Sequence, residues 1–188
     1  MGDSTQAIIP LEDGWNNEIK AIALDPLEAM LDDGFKKTKL FSNLEYIKVY
    51  TTCYNMCTQK SPFNWSEQLY VRHGETIANY LSRKVLPALR EKPQGQDELL
   101  LAEFVRRGAN HSVMNTWHKK FFMYLDRYHV KYHQLPNLED AGLRHYKTIV
   151  YDAVKKDVIN AILKLINRER DGFIHSYMHT VTFIHIHN

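Results

Sequence analysis

The chain has 188 residues, which is enough for one domain with a substantial hydrophobic core and part of a second. Its 44% hydrophobic and 24% charged residues are ordinary for a globular protein and exclude a fibrous or wholly disordered chain. The 24 Lys and Arg nearly balance the 22 Asp and Glu, so we expect no nucleic-acid or membrane partner. No leader-like start and no apolar run of roughly 18 residues is present, and we expect a cytoplasmic or nuclear protein.

The first predicted helix covers residues 11–31, where apolar residues recur at helical spacing. Pro26 is expected to break or kink it, because proline removes a backbone donor inside a helix. A polar and basic link around residues 34–39 follows. We expect residues 1–10 to form a flexible N-terminus.

Residues 41–60, FSNLEYIKVYTTCYNMCTQK, predict a helix with an explicit start and an aromatic stripe. Ser42 and Glu45 form the pattern of a capping box, and Phe41 is placed to staple onto Tyr46. The stripe, repeating every three or four residues, consists of Tyr46, Val49, Tyr50, Cys53, Tyr54 and Cys57. It fits either a binding face or a plain core face, and periodicity alone favours the core face.

Asn64 and Glu67 predict a second capping box, which starts a long helix that Pro87 is expected to bend near its end. After a loop over residues 91–96, a short helix is expected, with Gly108 as its stop. A second strongly amphipathic helix is predicted over residues 112–132. Its apolar side contains Met114, Trp117, Phe121, Tyr124, Leu125 and Tyr128.

A further long helix is predicted over residues 137–168, after the break at Leu135 and Pro136. The tail, residues 173–188, changes abruptly to β-branched, aromatic and histidine residues and looks divergent. Only this tail shows two-residue alternation. The sequence therefore predicts an all-helical architecture with antiparallel neighbours and no sheet.

Few residues are arranged for catalysis or metal binding. No phosphate-binding glycine loop, nucleophile elbow or His-Glu-x-x-His helix is present, so we expect neither an enzyme nor a small-molecule substrate. Cys53 and Cys57 lack a second ligand pair at zinc-finger spacing and are expected to be small core residues. His185 and His187 could clip a metal in an extended tail, but accidental composition is the preferred interpretation. We expect no cofactor and no metal.

Five collinear strings resemble the cullin family, in the plant form of the cullin that serves F-box proteins. They are YTTCYNMCTQK, VLPALREK, MYLDRY, LPNLEDAGLRHYKTIVYD and INRERDG, and the resemblance covers residues 11–172. It implies an all-α fold, an antiparallel helical bundle or solenoid. A five-helix cullin repeat would occupy residues 11–134, and the start of a second repeat residues 135–172.

The resemblance also implies a partner. In cullins of this type the second and fifth helices of the first repeat grip a BTB/POZ-fold adaptor, which in turn holds an F-box protein. The matching positions, expected to bind the partner, are Tyr46, Val49, Tyr50, Cys53, Tyr54, His111, Met114, Asn115 and His118. We therefore expect a non-catalytic scaffold fragment of SCF-type ubiquitin ligases, without the half that recruits the RING protein.

Two positions depart from the family pattern. Gly108 stands where Trp is common, and His118 where an aliphatic residue is usual, so apolar contact near the expected interface is reduced. The alternative is a degenerate or structural helical fragment that has lost adaptor binding. Such a fragment would expose the apolar face of residues 137–168 and would be unstable or self-associate.

Overall fold

The structure is a computed structural model that describes residues 8–34, 40–92 and 95–186, with side chains up to residue 172. Throughout these ranges the regular structure is helical and contains no strand. The predicted all-α fold is confirmed. No helix in the described ranges has both the length and the apolar character needed to cross a membrane.

Six helices lie within these ranges, and we number them in chain order. Helix α1 covers residues 11–33, in the parts Leu11–Asp13, Gly14–Leu24 with wider π-type turns, and Asp25–Asp33. Helix α2 is Asn43–Thr58, and α3 covers residues 66–90, in the parts Ser66–Tyr80, Leu81–Val85 and Leu86–Arg90. Helix α4 is Asp97–Phe121, and α5 covers residues 123–133, including Leu125–His129 and Val130–His133. Helix α6 covers residues 138–186, in the parts Leu138–His145, Tyr146–Tyr151 and Asp152–Ile186.

The start of α2 is fixed by the capping box that the sequence predicts. The Glu45 amide donates to Ser42 Oγ at 3.2 Å, and the Ser42 amide donates to the Glu45 carboxylate at 2.7 Å. Two amide donors that a helix start leaves free are thereby satisfied. Phe41, just before the cap, is buried against Phe121 of α4 at a ring-centroid distance of 5.2 Å, and Tyr46 contacts the same ring. Helix α2 is therefore anchored to α4 at its first turn.

Helix α4 is a single helix of 25 residues where the sequence predicts a stop and a new start. The prediction that Gly108 ends a helix is wrong, because Gly108 lies inside α4 and faces α6. A Cβ atom there would lie 3.7 Å from the Tyr146 hydroxyl. The break comes instead at Phe122, whose ring is buried and whose backbone leaves the helical region at φ −99° and ψ 20°. The helix predicted over residues 112–132 is thus divided between α4 and α5.

Two further expectations are corrected. The capping box at Asn64 and Glu67 is wrong, because the side-chain Oδ1 of Asn64 accepts from the Ser66 amide at 3.0 Å instead. The helix predicted over residues 137–168 is longer than expected, because the backbone of residues 173–186 continues α6. Residues 187 and 188 lie outside the described ranges. In the N-terminal segment expected to be flexible, residues 1–7 also lie outside, whereas the Ile9 carbonyl accepts from the Trp65 indole at 3.0 Å.

The hydrophobic core draws on all six helices. Its fully buried side chains include, in helix order, Ile19, Met56, Leu81, Met114, Leu125 and Val150. Residues 138–158 therefore share one core with residues 11–134. The division into a first repeat and the start of a second stays a prediction from sequence pattern.

A buried ion network joins α1, α3 and α4. Arg107 contacts Asp32 at 2.8 Å and Glu103 at 2.9 Å, and the Tyr80 hydroxyl donates to Asp32 at 3.1 Å. Hydrogen bonds from Arg106 and Arg107 lower the pKa of Glu103 to about 2. The buried guanidinium is therefore paired on both sides, which a buried charge requires.

A side chain of α5 holds the first residue of helix α6 in place. The Asn137 side chain caps α6 by accepting from the Asp140 amide at 2.8 Å, and Asp126 of α5 accepts from the Leu138 amide at 2.9 Å. The segment that precedes α6 is bonded to α3, because the Tyr70 hydroxyl of α3 donates to the Pro136 carbonyl at 2.8 Å. The junction between the two predicted repeats is thus bonded from both sides.

Candidate protein-binding surface

Helix α2 divides its apolar residues between the core and the surface. Its buried side consists of Val49, Thr52, Cys53, Met56 and Cys57. On the opposite side, Leu44 is 80% exposed, Ile47 55% and Tyr54 41%. Their spacing of three and seven residues places these side chains on one stripe. Helix α2 therefore presents an apolar stripe to solvent although its other side already fills the core.

Tyr46 and Tyr50 lie at the border between these two sides, and both are half-buried. Their rings stack with centroids 6.3 Å apart, and Tyr46 also contacts Phe121 of α4 at 6.3 Å. Half-buried aromatic rings held by neighbours lose little further freedom when a partner covers them. The three tyrosines of the predicted stripe are thus reachable from solvent.

Helix α5 extends this exposed stripe. The Tyr54 ring meets Tyr124 edge-on with centroids 5.1 Å apart, and Tyr124 packs on Tyr128 at 4.4 Å. Burial, reinforced by the neighbouring Tyr128 and Tyr54, raises the pKa of Tyr124, so its hydroxyl stays neutral. We call the following residues the α2–α5 surface: Leu44, Ile47, Tyr50, Tyr54, Tyr124 and Tyr128.

Trp117 of α4 lies near the first turn of α2, where Phe41 contacts its ring at 4.8 Å. Lys120 Nζ lies 4.4 Å from the centre of the Trp117 ring. A cation over an aromatic face is attracted by the negative charge of that face. The positive charge of Lys120 therefore lies beside the aromatic residues next to α2.

Six of the nine predicted partner-binding residues are buried in the protein. They are Val49, Cys53, His111, Met114, Asn115 and His118. The four α4 residues are buried because α4 runs unbroken, so positions expected in the first exposed turns of a new helix lie in its buried middle. Val49 and Cys53 are buried because they lie on the side of α2 that fills the core. Tyr46, Tyr50 and Tyr54 remain accessible. Partner contact at the six buried positions stays a prediction to which their burial gives no support.

A cluster of buried histidines occupies the region where α3, α4 and α6 meet. The rings of His73 and His118 lie 5.1 Å apart, and His111 stacks on Tyr146 at 4.7 Å. Burial lowers the pKa of His73 to about 3 and of His111 to about 4, and that of His118 well below its ordinary value. Both ring nitrogens of His73 lack a hydrogen-bond partner within the described part of the chain. These histidines are therefore neutral, incompletely paired core residues.

A metal site finds no support in the described ranges, which contain no group of three or more His, Cys, Asp or Glu side chains able to hold an ion. Cys53 and Cys57 are buried free thiols, and burial raises the pKa of Cys57 to about 11. Both thiols are therefore protonated core groups at neutral pH. The tail histidines weighed as metal ligands, His185 and His187, lie outside the residues whose side chains are described.

Sequence reasoning missed Leu44, Ile47 and Tyr128 as surface residues. A signal for the first two was present, because Leu44, Ile47 and Tyr54 form a second stripe beside the tyrosine stripe. Tyr128 was expected on the apolar side of the predicted helix over residues 112–132. The break at Phe122 gives no sequence signal, and it places Tyr128 on a separate helix where it is 58% exposed.

Comparison with known proteins shows which protein family this helical chain resembles. A profile of the cullin alpha solenoid domain matches residues 24–187. Cullin-1 of Oryza sativa subsp. japonica is 41% identical over 172 residues, which cover 92% of this chain and 22% of that protein. Putative cullin-like protein 2 of Arabidopsis thaliana is 37% identical over 166 residues, 87% of this chain and 42% of that protein. Cullin-2 of the same plant is 34% identical over 162 residues, 86% of this chain and 21% of that protein.

The chain therefore spans less than half the length of each of these relatives. The family match nevertheless covers most of the chain and includes α2 to α6. On this match and on its all-helical fold, the chain belongs to the cullin family.

Proposed function

We propose that this chain is a non-catalytic scaffold module that binds the BTB/POZ-fold adaptor of SCF-type ubiquitin ligases. Through the adaptor it would hold F-box proteins in ubiquitin-dependent protein degradation, in the cytoplasm or nucleus. Membership of the cullin family supports the scaffold role. The single observation that carries the proposal is the exposed apolar stripe of Leu44, Ile47 and Tyr54 on a helix whose other side is buried.

Two sets of contacts hold the exposed stripe of α2 in place before a partner binds. The Ser42–Glu45 capping box fixes the start of α2, and Tyr54 is held by Tyr124. Apolar and aromatic side chains held in place before binding lose little entropy on association, and such anchors dominate interface energies.

The test is a calorimetric titration of the purified F-box adaptor into this protein. We expect micromolar or tighter binding. Ile47→Asp places a charge in the stripe and should weaken binding by about 2 kcal/mol, roughly thirtyfold. The matched control is Val105→Asp, an exposed apolar position on α4 away from the α2–α5 surface, which should bind like the wild type.

Circular dichroism melts of both variants establish that they fold. If the folded wild type shows no binding at micromolar concentrations, the proposal fails. Equal weakening by Ile47→Asp and Val105→Asp would also contradict it, because the α2–α5 surface would then have no special role.

A second candidate is a structural or degenerate helical fragment without adaptor binding. The observation that favours it is a stripe of half-exposed aliphatic residues on α6, formed by Ile159, Ile162, Leu163 and Ile166. Contiguous exposed apolar patches of this kind drive self-association. Light scattering that shows concentration-dependent oligomers, together with absent adaptor binding, would favour this candidate over the first.

A further inference from the structure

An open groove of about 690 Å³ lies between the end of α2, the start of α3 and α5. Cys57, Asn64 and Ser66 line one side of it, and a run of α5 residues lines the other. This volume falls in the ordinary range of ligand sites, roughly 300–1,000 Å³. The groove is largely open to solvent, which suits a peptide segment better than an enclosed small molecule.

The wall formed by α5 is cationic and aromatic. Arg127 and Lys131 are one helical turn apart and exposed, and neither forms an ion pair with any residue in the described ranges. Tyr128 lies between these two residues in the sequence, and Tyr132 follows Lys131. The Tyr132 side chain is 83% exposed. None of the residues that line the groove is acidic. Glu67 of α3 interacts electrostatically with His129, but Glu67 does not line the groove. The groove thus combines unpaired positive charge with exposed aromatic rings.

We propose that this groove binds a short acidic peptide segment in extended conformation, with an aromatic side chain among its carboxylates. The Arg127 guanidinium and the Lys131 ammonium would pair with carboxylates, and Tyr128 and Tyr132 would take the aromatic side chain. The wall from residue 124 to residue 133 is about 14 Å long. That length accommodates about four extended residues.

Two unpaired cations favour a peptide over a nucleic acid. Strong nucleic-acid binding requires many phosphate contacts along a basic surface, and the net charge of this chain is only +2. The inference does not depend on the proposed adaptor function. The groove shares Tyr124 and Tyr128 with the α2–α5 surface, whereas its charged residues Arg127 and Lys131 lie outside that surface. Reversal of these two charges therefore tests the peptide site, and Ile47→Asp, which lies outside the groove, tests the adaptor surface.

The test is fluorescence anisotropy with a labelled hexapeptide of sequence Glu-Glu-Phe-Asp-Glu-Glu. We expect a dissociation constant on the order of 100 μM that weakens as salt is raised. The double variant Arg127→Glu with Lys131→Glu should weaken binding at least about tenfold. The matched control is Arg83→Glu with Lys84→Glu, which reverses two exposed charges on α3 and gives the same net charge.

The aromatic contribution is tested with Tyr128→Ala and Tyr132→Ala together. These exposed positions can be truncated without opening the core, and we expect weaker binding with an unchanged melting curve. No peptide binding by the wild type, or equal losses in the two charge-reversed proteins, would overturn the proposal. Tighter binding of a single-stranded oligonucleotide than of the peptide would overturn it in favour of a nucleic-acid site.

Discussion

Tyr54 of α2 and Tyr124 of α5 meet edge to face, with ring centroids 5.1 Å apart and planes at 89°. This geometry favours the pair, because the positive edge of one ring points at the negative face of the other. We predict a coupling of about 0.5–1.5 kcal/mol between the two residues. Urea unfolding of the wild type, Tyr54→Ala, Tyr124→Ala and the double variant measures it. Strict additivity of the two single effects would show that the rings do not interact.

The helices were largely predictable from sequence because their signals are local. The start of α2 follows from Ser42 and Glu45, and the helical spacing of apolar residues gives the other helices. The unbroken α4 was not predictable in the same way. Glycine indicates a helix end when only the local sequence is considered, whereas the position of Gly108 opposite Tyr146 of α6 is a tertiary feature.

The candidate surface was harder to predict, for a related reason. Periodicity shows that α2 has apolar stripes but not which stripe faces the core. The structure buries Val49 and Cys53 and exposes Ile47, although all three are apolar. Burial depends on where α1, α4 and α5 lie around α2, and that information is distributed over the whole chain.

Two glycines provide a paired stability test. Gly108→Ala should stabilise the protein by about 0.5–1 kcal/mol, because alanine costs less backbone entropy inside a helix and its Cβ would make ordinary contact with Tyr146. Gly142→Ala should destabilise by about 1–3 kcal/mol. Its Cβ would clash with Oδ1 of Asn115, whose buried side-chain amide is hydrogen-bonded to His111. Chemical denaturation measures both, and a destabilised Gly108→Ala would contradict the continuous α4.

The buried ion network predicts a large difference between two adjacent arginines. Arg107→Leu should cost about 2–4 kcal/mol, because Asp32 and Glu103 would lose the buried cation that pairs with them. The half-exposed Arg106 also contacts Glu103, and Arg106→Leu should cost less than about 1 kcal/mol. Thermal and urea unfolding of the two variants test this. Similar losses for both would show that burial does not set the strength of this network.

The buried histidines predict acid sensitivity. Folding lowers the pKa of His73 to about 3 and of His111 to about 4, mainly by burial, whereas each returns to about 6.5 on unfolding. Below about pH 6.5 the unfolded chain therefore binds more protons, and the free energy of unfolding falls by up to about 1.4 kcal/mol per pH unit for each histidine. The loss begins near pH 6.5 and continues towards pH 4 and pH 3. Urea unfolding at a series of pH values measures the slope.

His118→Leu isolates this effect. Burial also lowers the pKa of the wild-type His118. A leucine of similar size removes the buried Nδ1 of this ring, which has no hydrogen-bond partner among the described residues. We expect a shallower slope by about one proton and greater stability at pH 5. Glu28, whose pKa is raised to about 7 by burial, opposes the trend equally in both proteins. The exposed His133→Leu serves as the control, and a slope that changed there but not in His118→Leu would contradict the assignment.

The aliphatic stripe on α6 predicts self-association. The wild type should form concentration-dependent oligomers, since Ile159, Ile162 and Ile166 leave apolar area in water. Ile162→Glu should restore a monomer without loss of stability, because the side chain is half-exposed. Multi-angle light scattering of both proteins measures this. A wild type that stays monomeric at high concentration would show that the stripe is tolerated as ordinary surface.

The hydrogen bond from the Leu138 amide to Asp126 has a practical consequence for dissecting this protein. A protein shortened after residue 134 would lose that bond, the Tyr70 contact at Pro136 and the Val150 side chain from the core. We expect such a shortened protein to unfold, so that its binding could not be measured. Regions of contact with any partner should therefore be mapped by single surface substitutions in the whole chain, because deletions at the apparent boundary would remove the fold together with the surface.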